Sequence, residues 1–356
     1  MIVGISIFNF KSIENIEYLP LNEFHVLVGA NGAGKSTFLD AIDFVRDCLI
    51  HGPQTAVESR GITNFADLTW NRQGGSIGII LWLDIGDNIS SNDESIIDYS
   101  FKIRHDDDLG ICVEGEFLSR RPGFVIQSEL PNSFTRSLTN KPLLFKKNEG
   151  IGYYFSESDN RQNAFNFGPS KLALSQTPPD IIRYPTANAV KNFLMHGIRY
   201  IQLNSRAMRL PCIATRSTKF DLDGTNMARV VGKLIGKNTS LPSELPQWAT
   251  PGSPIDNWTE HLRYALPDLR AIGWARRLAD NAEYLVLKYE DGLEVPSWLL
   301  SDGTLRMLAL TLLAFMPPTP AIYLVEEPEN GVHPKALEII LRSLSSIPQG
   351  QVLMAT

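Results

Sequence analysis

The apolar-rich opening at residues 2–8 (IVGISIF) reads as a strand. Residues 24–28 (FHVLV) read as a short buried strand that runs into a glycine-rich turn. Past the turn, Phe38, Ile42, Val45 and Leu49 recur at helical spacing, and Gly52-Pro53 stops that helix. Strand-like runs at 77–85 (IGIILWLDI) and 96–104 (IIDYSFKIR) flank the polar, turn-rich GDNISSNDES.

From about 105 to 200 the pattern weakens. Short β-like pieces such as 110–117 stand among many Asn, Ser, Pro and Gly residues, and the next helical spacing comes at about 187–196. A Pro/Ser-rich loop fills 242–254 (PSELPQWATPGSP), and 258–266 reads as helix. Residues 284–289 and 293–295 predict a hairpin across Glu290-Asp291-Gly292. Residues 305–316 are apolar on nearly every face, hence a buried helix, which Pro317-Pro318 ends. A buried strand at 321–325, a helix from Pro334 to about Ser346 and a strand at 351–355 complete the sequence, without internal repeats or heptads. Wholly apolar strands alternating with helices at both ends predict an α/β sheet covered on both faces. The weak middle predicts an insertion. The expected division is 1–104 and 284–356 for the two parts of one domain, with an irregular α+β lid region at 105–283.

Composition narrows the classes. Of 356 residues 43% are apolar and 20% charged, ordinary for a globular protein with a sizeable core. No run of about 18 apolar residues exists, so no membrane association is expected. The opening segment lacks a basic start with an apolar core and cleavage site, so a cytoplasmic location is expected rather than secretion. Cys48, Cys112 and Cys212 stand far apart, which suits a reducing compartment and excludes a cysteine zinc site. A net charge of −6 leaves nucleic-acid binding to local patches or a partner.

The glycine-rich turn carries the chemistry. Gly29-Ala30-Asn31-Gly32-Ala33-Gly34-Lys35-Ser36 fits GxxxxGK[ST] without a gap, between an apolar strand and an amphipathic helix. Its glycines let backbone N–H groups of Asn31, Gly32, Ala33 and Gly34 wrap phosphates at a helix N-terminus. Lys35 is placed to neutralise the β and γ phosphates of ATP, Ser36 to offer a hydroxyl to Mg²⁺, and Thr37 to reach the α phosphate. The strand 321–325 ends in Glu326-Glu327-Pro328, the position where ligands gather in open α/β sheets. Two adjacent carboxylates suit two jobs: Glu326 as Mg²⁺ ligand and Glu327 as the catalytic base that polarises water. His333, just before Pro334, reads equally as a helix-start residue or a phosphate neighbour. Leu300-Ser301-Asp302-Gly303-Thr304 precedes the buried helix and reads either as a plain N-cap or as a second anion site. A guanine reader fails, because Asn140-Lys141 is followed by Pro-Leu, so ATP is favoured over GTP.

The order of these elements resembles AAA-type ATPases of the ABC/SMC/RecF superfamily, in the branch related to OLD-family and other phage-defence ATPases. Asn9-Phe10-Lys11-Ser12, GANGAGKST, WLLSDGTLRMLAL (298–310) and LVEEPENGVHP (324–334) carry the resemblance. A weaker fifth stretch, 200–226, holds Arg206 and LDGTN, and 105–195 has hardly any likeness. The resemblance implies a P-loop NTPase with an ABC-type head, a mixed sheet flanked by helices. It implies a homodimer or higher homo-oligomer in which two heads sandwich ATP, so that Ser301 and Gly303 act on the γ phosphate held by the other head. Asp302 stands where the family's LSGGQ has its first glycine. For the family's Mg²⁺-sensing glutamine Gln73 is the one convenient candidate, and its switch histidine either falls just past Thr356 or is absent. The OLD-type nuclease domain has no counterpart in the sequence.

Two basic groups remain: Arg199, Arg206, Arg209, Arg216, Lys219, Arg229, Lys233 and Lys237, then Arg270, Arg276 and Arg277. They read either as a solvated face or as a surface for DNA or a partner. The function implied is an ATP-hydrolysing, dimerising switch that controls a separate nucleic-acid-directed effector such as a nuclease, in antiphage defence. The alternatives are a DNA repair ATPase of RecF type and the motor of an ABC transporter. The motor's signature ordinarily lies much nearer its phosphate loop than the 266 positions between Lys35 and Ser301.

Overall fold

The computed structural model describes residues 1–86, 95–122, 141–147, 150–236 and 245–356. Two compact units emerge: Met1–Arg199 with Pro320–Ile322, and Tyr200–Thr319 with Tyr323–Thr356. The connector GDNISSNDES and Lys237 fall largely or wholly outside the described residues. Among the described residues no helix is long and apolar enough to cross a membrane.

The first unit is built on an antiparallel sheet. Strand β1 (Ile2–Phe10) pairs with β2 (Ile13–Pro20) on one side and with β4 (Ile77–Leu83) on the other. Outward from β4 follow β5 (Ser95–Asp106), β6 (Gly110–Pro122), β7 (Lys141–Lys147), β8 (Ile151–Phe155) and β9 (Gln162–Asn166). Each pairs antiparallel with the one before, so the weakly patterned stretch after 105 folds as successive hairpins. Ile2, Ile5, Ile7 and Phe10 are buried along β1, each worth about 1.5–3 kcal/mol. Gly4 is required by close approach: a Cβ there would stand 2.5 Å from Tyr18 Cε2, and Tyr18 packs edge-on against Trp82.

Helix α1 (Lys35–His51) buries Phe38, Leu39, Ile42, Phe44, Val45 and Leu49, as its spacing predicts. Gly52, at φ 86°, ends it by donating its N–H to Cys48 O, and Pro53 opens α2 (Pro53–Glu58). α1 packs on α2 and on α3 (Pro185–Gly197). Strand β3 (Phe24–Leu27) forms where expected but is not buried: Val26 is 36% and Val28 79% exposed. It is an edge strand, and an edge leaves apolar side chains partly solvated that a central strand would cover.

Mostly within the second unit, β15 (Ala321–Glu326) lies between β10 (Ile198–Ile201) and β16 (Gly350–Ala355). Helices α4 (Ser205–Arg209), α7 (Asp302–Leu312) and α8 (Pro334–Leu344) accompany this sheet, with α7 packed on both α4 and α8. α7 is shorter than its apolar run, because the chain tightens into a 3₁₀ turn at Leu313–Phe315 before the prolines. A separate antiparallel sheet joins β11 (Gln247–Trp248), β12 (Leu269–Arg276), β13 (Glu283–Tyr289) and β14 (Glu294–Pro296). The predicted hairpin is present, with Leu287 opposite Val295. α5 (Met227–Ile235) and α6 (Pro254–Leu262) cover β12. Gly232 admits the Trp274 ring, and the buried Trp258 Nε1 donates to Thr311 Oγ1 at 2.8 Å.

Candidate functional site

The phosphate loop runs from the end of β3 into α1, with Gly32 at φ 81° and Gly34 at φ 94°. Only glycine adopts such angles without strain. Gly34 occupies the N-cap, no side chain caps the helix, and its first turn carries no acid. The caps of α6, α7 and α8 are by contrast side chains of Ser253, Ser301 and His333. Asn31, Gly32, Ala33 and Ser36 are exposed, and Lys35 Nζ donates to Gly29 O at 2.6 Å and Ala30 O at 3.0 Å. Thr37 Oγ1 shares a 2.8 Å hydrogen bond with Ser12 Oγ, in the turn between β1 and β2.

One turn further along α1, Asp40, Asp43 and Asp47 share a face with Arg46 and meet Arg60 and Lys11. Lys11 Nζ lies 2.6 Å from Asp40, Arg60 reaches Asp40 and Asp47 at 2.9 Å, and Arg46 reaches Asp43 at 2.6 Å. These opposed charges match in number, so the acids of α1 place no net negative charge behind the loop. Burial pushes the Asp43 carboxyl up to about 6 against the pull of Arg46, with Asp47 and Asp40 adding to the rise and Arg60 opposing it.

Gln73 is exposed, in the loop that joins a 3₁₀ turn at Trp70–Arg72 to β4. Asn9 holds that loop: Trp70 N–H donates to Asn9 Oδ1 at 3.0 Å, and Asn9 Nδ2 donates to Gly74 O at 2.9 Å and Ser76 O at 3.0 Å.

In the second unit a cleft of about 300 Å³ is bounded by Tyr200, Gln202, Arg306, Glu326, Glu327 and Asn330. Glu326, at the end of β15, accepts a hydrogen bond from Tyr200 Oη at 2.6 Å. Glu327 is exposed at φ 45°, a conformation that costs a non-glycine residue of order 1 kcal/mol, and its N–H donates to Ala355 O at 2.8 Å. Arg306, on α7, donates to Asn330 O at 3.3 Å. His333 accepts the Lys335 N–H at 3.3 Å through Nδ1, which makes it a cap of α8.

Ser301 caps α7 by accepting the Thr304 N–H at 3.1 Å. Gly303 is fixed by close approach, since a Cβ there would stand 2.5 Å from Gly331 O. Asp302 pairs with Arg209 at 2.5 Å, and the same guanidinium donates to Leu300 O at 3.1 and 3.0 Å. Other members of the basic stretch are also spent on internal pairs: Arg216 with Asp221, and Arg229 with the buried Glu283 at 2.7 Å. Arg206, Lys219, Lys233 and Arg270 are exposed, and Arg277 pairs with Asp280.

The structure thus gathers Glu326 and Glu327 into one cleft and Lys35, Ser36 and Thr37 on one helix start. It adds Asn9, Ser12, Tyr200, Arg209 and Arg306, which motif spacing alone does not single out. For Arg209 the signal was membership of a basic group, and for the others membership of the stretches 9–12, 200–226 and 298–310.

The family described as "AAA ATPase domain" matches residues 1–178, and that described as "AAA domain, putative AbiEii toxin, Type IV TA system" matches residues 216–356. No curated protein matches the chain. The SmcHead bound to the C-winged helix domain of ScpA is 14% identical with a TM-score of 0.52, over 100% of this chain and 89% of that one. The Smc head domain with an extended coiled coil bound to the C-terminal domain of ScpA, from Pyrococcus furiosus, is 12% identical with a TM-score of 0.49, over the same shares. The SMC head domain from Thermotoga maritima is 11% identical with a TM-score of 0.43, again over 100% and 89%. The first of these shows the fold, a mixed α/β P-loop NTPase of the SMC-head kind.

Proposed function

Because the chain belongs to the AAA ATPase domain family, we propose that it binds and hydrolyses ATP and acts as a dimerising switch for a separate nucleic-acid-directed effector in antiphage defence. The observation that carries the reading is the start of α1, glycine-capped and free of acids in its first turn, behind Gly32 and Gly34. A helix end of that kind, with Lys35 on its first turn, is built for the polyphosphate of a nucleotide. Mg²⁺, when bound, neutralises phosphate charge; the exposed Ser36 hydroxyl and the Glu326 carboxylate are its proposed ligands. Glu327 is the proposed base for the attacking water, and Ser301 and Gly303 are proposed to act on nucleotide held by a second copy.

Three observations support the finer parts. Leu210 (66%) and Leu299 (69%) are exposed next to Arg209 and Leu300, which bond each other beside Ser301, apolar surface that suits burial against a second head. The match of 216–356 to the AbiEii-type family supports a place in defence. The internal ion pairs of Arg209, Arg216 and Arg229 favour a partner, rather than this chain, as the main contact to DNA or RNA.

Mg-ATP at about 100-fold over its Kd should stabilise the wild type by about 2.7 kcal/mol, seen as a raised melting temperature. Lys35→Ala should melt as the free wild type does and lose the ATP shift; a retained shift overturns the phosphate-loop assignment. Dimer action has its own test. Lys35→Ala and Ser301→Arg, each inactive alone, should regain part of the ATPase rate when mixed, because one composite site is then whole. Mixed dimers without recovery would leave Ser301 a helix cap.

A further inference from the structure

The loop that carries Gln73 is unusually wound. Asn71 (φ 50°), Arg72 (φ 57°), Gly74 (φ 71°) and Gly75 (φ 83°) bracket Gln73, itself at φ −78°. Left-handed angles at two non-glycine residues in succession are costly and persist only where their surroundings fix them. Beside the local bonds from Gly74 N–H to Thr69 Oγ1 and from Arg72 to Asp67, Asn9 ties the segment to β1. Its side-chain oxygen accepts from Trp70 N–H and its amide donates to Gly74 O and Ser76 O, so both ends of the wound segment hang on one residue. Asn9 is itself at φ 56°, tolerable for asparagine, and Lys11 at φ 48° follows, with Lys11 N–H donating to Leu68 O at 2.8 Å. One residue on, Ser12 Oγ bonds Thr37 Oγ1 on the first turn of α1, and Gly34 is packed so that a Cβ would lie 3.3 Å from Ser12 Oγ. A single four-residue turn therefore grips the Gln73 loop with its first residue and the phosphate loop with its last.

Resting on the ATPase reading above, we infer that Asn9 is a positioning residue that ties the Gln73 loop to the phosphate loop, so that nucleotide at Lys35–Thr37 is sensed at Gln73. The coupling runs through bonds within the turn and asks for no contact between Asn9 and nucleotide. The loop's amides report on it, because Trp70, Arg72, Gln73 and Gly74 each donate a backbone N–H within the clamped segment.

The experiment is hydrogen exchange on the full chain, with and without Mg-ATP, beside the melting shift that reports binding. In the wild type Mg-ATP should slow exchange across 70–76 by roughly 10-fold or more. Asn9→Ala should keep the melting shift, yet its loop should exchange fast and respond to Mg-ATP by less than about twofold. In turnover, kcat should fall by about 10- to 100-fold with KM nearly unchanged, and adding Gln73→Ala should cost nothing further. If Asn9→Ala does not fold, Ser12→Ala cuts the other end of the turn and should uncouple the loop in the same way. Mg-ATP protection of 70–76 that survives in these variants, or losses with Gln73→Ala that multiply, overturns the inference. A wild type without any melting shift would instead overturn the ATPase reading on which it stands.

Discussion

Tyr200 Oη lies 2.6 Å from Glu326 Oε2 and donates to it, so the carboxylate at the end of β15 is oriented by a residue far from it in sequence. A glutamate side chain has one more rotatable bond than an aspartate, and a fixed donor removes that freedom. If Glu326 holds Mg²⁺, Tyr200→Phe should raise the Mg²⁺ concentration for half-maximal ATPase by about 10-fold, with little change in melting temperature. An unchanged Mg²⁺ titration would assign the tyrosine to packing alone.

Glu327→Gln keeps the shape and the Ala355 contact of its backbone but removes the proposed base. Nucleotide should still bind, while the chemical step slows by roughly 10² to 10⁴. ATP-bound dimers should then accumulate, and light scattering after size exclusion should show a larger Mg-ATP-dependent mass shift than in the wild type. Normal turnover would place the base elsewhere, and trapping by Glu326→Gln instead would reverse the two roles.

Asp43 gives a pH signature. Its folded pKa, about 6, exceeds its unfolded value of 3.8, so between those values the folded state holds the extra proton. The stability from this group is full below pH 3.8 and is lost as pH rises through about 6. Asp43→Asn should therefore flatten the melting-temperature profile across that window relative to the wild type. Parallel profiles would show that Arg46 and Arg60 keep Asp43 ionised throughout.

Local patterns revealed what local forces decide. The phosphate loop, the apolar strand β15, the β13–β14 hairpin and the stop at Gly52-Pro53 were all legible, because periodicity and turn residues specify them within a few positions. Strands β7, β8 and β9 were not, since short strands gain much of their stability from partners across the sheet rather than from their own sequence. The apolar run of β3 suggested burial that an edge strand does not have. Asn9 and Tyr200 stayed hidden for another reason. Their partners lie at Trp70–Ser76 and at Glu326, and no spacing rule reaches that far.

Gly303 and Gly331 meet without any side chain between them, at a separation where even one methyl group would collide. Side chains act as cushions: they change rotamer and absorb a displacement. Bare backbone against bare backbone has no such give, so the start of α7 and the turn after Glu327 form a stiff joint. No rotamer change is available there to absorb a displacement of the start of α7 before it meets the turn after Glu327. Any substitution at Gly303 would then act twice, prying that joint apart while it alters the surface beside Ser301.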